Sequence, residues 1–254
     1  MSPSFNLTEY IMRHVMNSNE WHLPFLPPIP LPGFLTLHGL MVIICALILI
    51  VVFCAFYRHQ DRVPSGLTNL LEAFVQFVRD EIAIPSLGEE EGQRLTPLLC
   101  TFFFFILGLN LLGQIPLFST ATANISVTAP LALITFYFMT ADTVRKNGLG
   151  GFFKAFMPAG VPKIILPFIF LMELISLFIK TFALMIRLFA NMLAGHMLIL
   201  SLLGMVVLFG WWGAPAILLA VGISLLELLI VFLQAYIFVL LSAVFIGQMY
   251  HPQH

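Results

Sequence analysis

Charge is what this sequence has least of. Asp, Glu, Lys and Arg make up 9% of its 254 residues, against about a quarter in an ordinary soluble domain. So little charge excludes a soluble globular fold. The formal net charge of −1 leaves no basic excess and so no nucleic-acid surface. Cysteine is also scarce. Cys45, Cys54 and Cys100 all sit in apolar segments, with neither metal-ligand nor disulfide-framework spacing, and read as packing residues. No HExxH occurs, and no serine or cysteine nucleophile is set beside a base. His196 is the only histidine expected inside a spanning segment. The HxxH of His251 and His254 lies at the tail without further ligands, so neither a metal nor a cofactor is expected. A basic leader-like region is missing from the N-terminus, and the first apolar run starts near Gly39.

What the sequence has is hydrophobic length. Apolar residues make up 60% of it, which predicts an all-α polytopic membrane protein. We expect an extracytoplasmic tail over 1–38, rich in proline and carrying a small helix near Leu7 to Met16, then one membrane domain over 39–254. Five crossings are expected at about 39–57, 97–117, 128–145, 164–208 and 216–250. Between the first two, Leu67, Leu70, Leu71, Phe74, Val75, Val78 and Ile82 recur at helical spacing opposite Asn69, Glu72, Gln76, Arg79 and Asp80. That pattern predicts an amphipathic helix over about 66–84, lying on the membrane surface. GEEEG then reads as an exposed loop, and Thr96-Pro97 as a helix start. The 164–208 run would be about 67 Å long as one helix, against a hydrocarbon core of about 30 Å. It is either one strongly tilted helix or two helices. The lack of proline between Pro167 and Pro215 favours the tilted one. WWGAP (211–215) turns it into the next long helix, making a hairpin.

The basic residues orient the chain. Arg58, Arg62, Arg79, Arg94, Arg145, Lys146, Lys154 and Lys163 fall in two segments read as loops, which the positive-inside rule places in the cytoplasm. The N-terminus and the uncharged 118–127 loop are then outside, and the C-terminus is cytoplasmic. The chain shows no internal repeat, which argues against a transporter built from inverted halves.

One greasy stretch, ELISLFIKTFALMIRLFANMLAGH (173–196), carries polar groups that cost energy in a membrane. At 100° per residue, Ser176 and Lys180 lie about 20° from Arg187, and Glu173 and Asn191 about 40°. His196 lies about 180° around and faces the other way. Ala183, Ala190 and Ala194 flank Arg187 and would let another helix approach closely. Arg187 cannot shed its charge. Its complement is a carboxylate, either on a partner helix or on its own chain. Lys180 is either a snorkelling anchor or functional, and Glu173 either an interfacial anchor or the lining of an aqueous inlet. His196 and Glu227 suit a proton relay, and Gln234 continues the stripe of Glu227 one heptad on.

RLFANMLAGH (187–196), ELISLFIK (173–180) and LLELLIVFLQAYIFVLLSAVFIGQ (225–248), with NLLGQIP (110–116), TANISVTAPLA (122–132) and EAFVQFVRDEI (72–82), resemble subunit a of the rotary F-type ATP synthase, bacterial type. The resemblance covers nearly everything beyond about residue 35. It implies a stator subunit in the bacterial inner membrane, packed against a ring of carboxylate-bearing subunit c and joined to the peripheral-stalk subunit b. It is not an enzyme on its own. Arg187 matches the family's essential arginine. Asn191, His196, Glu227 and Gln234 match the outer proton half-channel, and Glu173 and Ser176 the inner one. Many bacterial members have glutamate and histidine exchanged at the His196 and Glu227 positions. Because Arg187 and His196 face opposite ways, His196 is expected to meet Glu227 on the second hairpin helix. Some members carry an aspartate at the Gly113 position, which leaves Gln114 or Asn124 to supply polar lining here. The rival class is a self-contained channel or secondary transporter.

Overall fold

The computed structural model describes residues 20–21, 29–32, 36–56, 66–115, 118–156, 162 and 164–250. The expected helix near Leu7 to Met16 lies outside them. A two-residue antiparallel pair, β1 (Glu20–Trp21) and β2 (Ile29–Pro30), precedes the helices. These are α1 (Leu37–Phe56), α2 (67–87), α3 (Glu89–Gly113), α4 (Ile125–Ala155), α5 (Leu166–Phe209) and α6 (Ala214–Tyr250). Five of them, all but α2, are long and apolar enough to cross a membrane, and apart from the short strand pair the described chain is that of an α-helical multi-pass membrane protein. α5 is one unbroken helix of 44 residues, about 66 Å at the α-helical rise. Gly210, with φ 56, opens the four-residue turn Gly210–Gly213 before α6. That left-handed conformation is open to glycine at little cost.

By internal packing the described chain forms two compact units. The first comprises Met1–Ile50, Phe105–Thr128 and Arg187–Ala235. In it Met41 and Cys45 of α1, Leu109 of α3 and Ala121 form a buried apolar cluster, and Leu188, Met192, Val231 and Ala235 are buried along the hairpin. Trp21 packs a tilted ring against Phe118 at 6.1 Å.

The second unit comprises Val51–Phe104, Ala129–Ile186 and Tyr236–His254. Its core includes Leu99, Phe102, Phe238, Ala243 and Ile246, with Phe102 edge-on to Phe238 at 5.6 Å. α2 buries Leu71, Val78 and Ile82 and sets Phe74 against Phe103 and Phe104. It leaves Gln76, Arg79 and Asp80 exposed. Leu67 and Leu70, from the same predicted apolar stripe, remain half exposed. A six-residue π-helical segment, Val78–Ala83, widens its middle.

Three local expectations are corrected in this second unit. α3 begins at Glu89, not at Thr96-Pro97, and the acidic run is its first turn, not a loop. Carboxylates there suit the positive end of the helix dipole. Pro97 sits inside the helix, while the Thr96 hydroxyl donates to the Gly92 carbonyl at 2.7 Å. Second, Arg145 and Lys146 belong to α4, which continues past 145 to Ala155 with a break in helical geometry at Gly148. An ion network explains both extensions. Glu91 bridges Arg94 and Lys146, each at 2.8 Å. Arg94 bridges Asp142 at 2.5 Å, and the Tyr250 hydroxyl donates to Asp142. Asn147 donates to the Tyr250 carbonyl at 3.2 Å. Two acids and two bases cancel within the network, so these basic residues need not be solvated as a loop. Third, the apolar helices that contain the second and third expected crossings run Glu89–Gly113 and Ile125–Ala155.

Candidate functional site

The polar residues of the first unit gather around the facing parts of α5 and α6. Arg187 and Asn191 lie one turn apart on α5, and Ala190, Asn191 and Ala194 are exposed beside the arginine. Arg187 Nη1 is buried, with no hydrogen-bond partner among the described residues. Asn191 Nδ2 donates to Gln234 Oε1 at 2.8 Å. Gln234 is buried on α6, and its own Nε2 lacks a partner among those residues. Glu227, Val231 and Gln234 recur at helical spacing, so α6 turns one stripe inward and carries two polar groups with it.

His196 faces away from Arg187, as its nine-residue offset requires. Its Nδ1 lies 3.4 Å from Glu227 Oε1, and the carboxylate is only 3% exposed. This close approach depends on Gly195. A Cβ there would stand 2.5 Å from Glu227 Oε1 and 2.9 Å from its carboxyl carbon. A buried carboxylate beside an imidazole sets an acid and a base within reach of one another.

The third wall of the site is the uncharged stretch between α3 and α4. Thr120, Thr122 and Asn124 alternate along it, and each bonds to a different helix. Thr120 Oγ1 lies 2.8 Å from His196 Nε2 on α5. Thr122 donates to Asn110 Oδ1 on α3 at 2.7 Å. Asn124 Nδ2 lies 3.0 Å from His38 Nδ1 on α1, while its Oδ1 accepts from the Ser126 amide at 2.9 Å and so caps α4. His38 corrects the expectation that His196 is the only histidine in a spanning helix. α1 begins at Leu37, and His38 is buried in its first turn. Thr120, Thr122, Asn110 and His38 were not anticipated. The signal for the first two was a run of small polar residues in a loop without charge; Thr122 sits in the short 3-10 turn Ala121–Ala123.

Buried atoms without a hydrogen-bond partner among the described residues recur through this unit. They include Asn110 Nδ2, Gln114 Nε2, Arg187 Nη1, both Glu227 oxygens and Gln234 Nε2. Native interiors leave few such atoms, so each of these calls for water or for a group outside the chain. The described residues hold no cluster of three or more His, Cys, Asp or Glu able to bind a metal.

The remaining candidates belong to the second unit. Glu173 is exposed and Ser176 half-buried on α5. Lys180 Nζ donates to Gln248 Oε1 at 3.0 Å and lies 5.5 Å from the Phe245 ring. The lysine is thus held by α6 side chains of its own unit.

A profile of the family described as ATP synthase A chain matches residues 39–247. Among curated relatives, ATP synthase subunit a of Anaeromyxobacter sp. (strain Fw109-5) is 47% identical over 217 residues, covering 84% of this chain and 53% of the relative. ATP synthase subunit a of Myxococcus xanthus (strain DK1622) is 41% identical, covering 92% and 84%. That of Chloroherpeton thalassium (strain ATCC 35110 / GB-78) is 42% identical, covering 96% and 77%. The chain spans about half the length of the Anaeromyxobacter relatives it matches.

Proposed function

Because the chain belongs to the ATP synthase A chain family, we propose that it is the stator subunit of a bacterial ATP synthase membrane sector, coupling proton flow across the inner membrane to rotation of a ring of subunit c. On this reading the chain performs no nucleotide chemistry. Its residues 39–254 act as one membrane domain, with the N-terminus outside and the C-terminus cytoplasmic. Subunit b of the peripheral stalk holds it against the ring.

The observation that carries the reading is Arg187. A permanent cation with a buried donor and no acceptor among the described residues is costly in a membrane unless another molecule supplies the anion. The exposed Ala190 and Ala194 beside it leave room for a close helix. A carboxylate arriving on a moving ring meets both requirements, and Arg187 then blocks direct proton passage past it. The orphaned polar atoms around Asn191, His196, Glu227 and Gln234 support a hydrated outer half-channel. Glu173 and Ser176 line the inner one. A proton crossing 100 mV releases about 2.3 kcal/mol, and that work is lost if it crosses without rotation.

The test is ATP-driven acidification of inverted membrane vesicles carrying the complete complex, with Arg187 intact or changed to alanine. Arg187→Ala is expected to abolish acidification while the complex still assembles. Acidification that survives the change would return Arg187 to a structural role and remove the reading.

A further inference from the structure

The His196–Glu227 pair has a neighbour to which the proposed mechanism gives no task. Thr120 is 5% exposed, and its Oγ1 lies 2.8 Å from His196 Nε2, on the opposite side of the ring from Glu227. The same oxygen lies 3.4 Å from the Gly113 carbonyl. A hydroxyl has one proton to give and lone pairs with which to accept. When Thr120 points its proton at the Gly113 carbonyl, its lone pair faces Nε2 and accepts from an Nε2–H. The imidazole is then fixed with one proton on Nε2, and only Nδ1 remains to exchange. A proton leaving Nδ1 for Glu227 Oε1 turns imidazolium and carboxylate into neutral imidazole and carboxylic acid, and its return reverses this. Without an acceptor at Nε2, the charged ring would keep one buried N–H unpaired.

Gly113 is what lets Thr120 stand there. A Cβ on residue 113 would lie 3.0 Å from both Thr120 Oγ1 and Cγ2 and 3.2 Å from its Cα. A side chain at 113 and the Thr120 side chain therefore compete for one place. We infer that Thr120 is a positioning residue of the proton path: its hydroxyl holds Nε2 of His196 so that Nδ1 alone exchanges protons with Glu227, in space that Gly113 leaves free. Among the described titratable groups of this unit, Glu227 is the one in contact with His196. Arg187 lies on the far side of the same helix, and His38 is bonded to Asn124.

This inference rests on the stator reading, and the experiment separates the two. Inverted vesicles carrying the complete complex are prepared with Thr120→Val, Thr120→Ser, Thr120→Gly, Thr120→Gly with Gly113→Asp, and Arg187→Ala, each checked for assembled complex. Thr120→Val keeps the shape and loses the hydroxyl. It is expected to pump about tenfold more slowly, with the alkaline limb of its pH profile displaced acidwards by about one unit, the loss of one hydrogen bond to a charged group. Thr120→Ser is expected within about twofold of the parent, the hydroxyl being retained. Gly113→Asp should restore pumping to Thr120→Gly, because an acid at 113 reaches the vacated place. Thr120→Val pumping at the parental rate with an unchanged profile overturns the inference, as does Thr120→Ser failing like valine. Should Thr120→Val not assemble, equal pumping by Thr120→Gly with and without Gly113→Asp overturns it instead. Pumping by Arg187→Ala would sink the stator reading itself, whatever the Thr120 series shows.

Discussion

Gly195 offers a sharp test of the site's geometry. In Gly195→Ala the new methyl would stand 2.5 Å from Glu227 Oε1, so the carboxylate must retreat by about 0.9 Å to reach an ordinary contact of about 3.4 Å. We take the case in which the retreat lengthens its 3.4 Å approach to His196 Nδ1 by the same amount. At an effective dielectric of about 20, unit charges at that separation attract by about 5 kcal/mol, and by about 4 kcal/mol after the retreat. The loss of about 1 kcal/mol corresponds to about a fivefold slower proton exchange through the pair. Crowding adds about 1–3 kcal/mol of strain, which falls on stability. Two assays separate these effects: vesicle acidification normalised to assembled complex, and the temperature at which the detergent-extracted complex dissociates. Glu227→Asp withdraws the carboxylate by one methylene. The double variant Gly195→Ala with Glu227→Asp should therefore be less impaired than the product of the two single effects. If the two effects simply multiply, or if Gly195→Ala pumps like the parent, the close approach of α5 and α6 at this point is not what positions the carboxylate.

Other outcomes follow from the same geometry. Exchanging the pair, His196→Glu with Glu227→His, should retain part of the proton transport that alanine at either position is expected to remove. A double exchange as inactive as either alanine variant would mean the two do not work as a unit. Tyr250→Phe deletes a donor to Asp142 in the ion network of the second unit. It is expected to lower stability by about 1–2 kcal/mol, read as earlier thermal dissociation with little change in the pH profile of pumping. Arg79→Ala should leave thermal dissociation unchanged, because its pair with Asp80 is between neighbours on an exposed face. The Arg79 guanidinium bonds the Asp80 carboxyl and holds it below the usual range. Any contribution of that pair is therefore present above the ordinary carboxylate range and fades as pH falls through the lowered value. A large shift at neutral pH would show that this face docks something.

The sequence by itself determined the class of fold and most of the polar cast. Residues so poor in charge and so long in apolar run can satisfy their backbone only as spanning helices. The proline-free stretch through Arg187 predicted the single long α5. Helical periodicity fixed which α5 side chains share a face and sent His196 away from Arg187, because that is a property of one helix and needs no neighbour. Where an expectation depended on a neighbour, it failed or stayed open, apart from the meeting of His196 with Glu227. Pro97 looked like a helix start because its ring disfavours an interior position, yet Glu91, Arg94, Lys146 and Asp142 together hold the turns before it. Arg145 and Lys146 looked like loop residues, because their compensating acids are remote in sequence. His38 precedes the uncharged run that starts at Gly39, yet lies inside a helix that begins at Leu37. The partners of His196 were half legible. Glu227 could be inferred from the hairpin, but Thr120 could not. Its place follows from the distance at which a loop passes Gly113 and from the register of α5 against α6. Periodicity says which way a side chain points. Only packing says what it meets, because register between helices is set by volumes that no single segment contains.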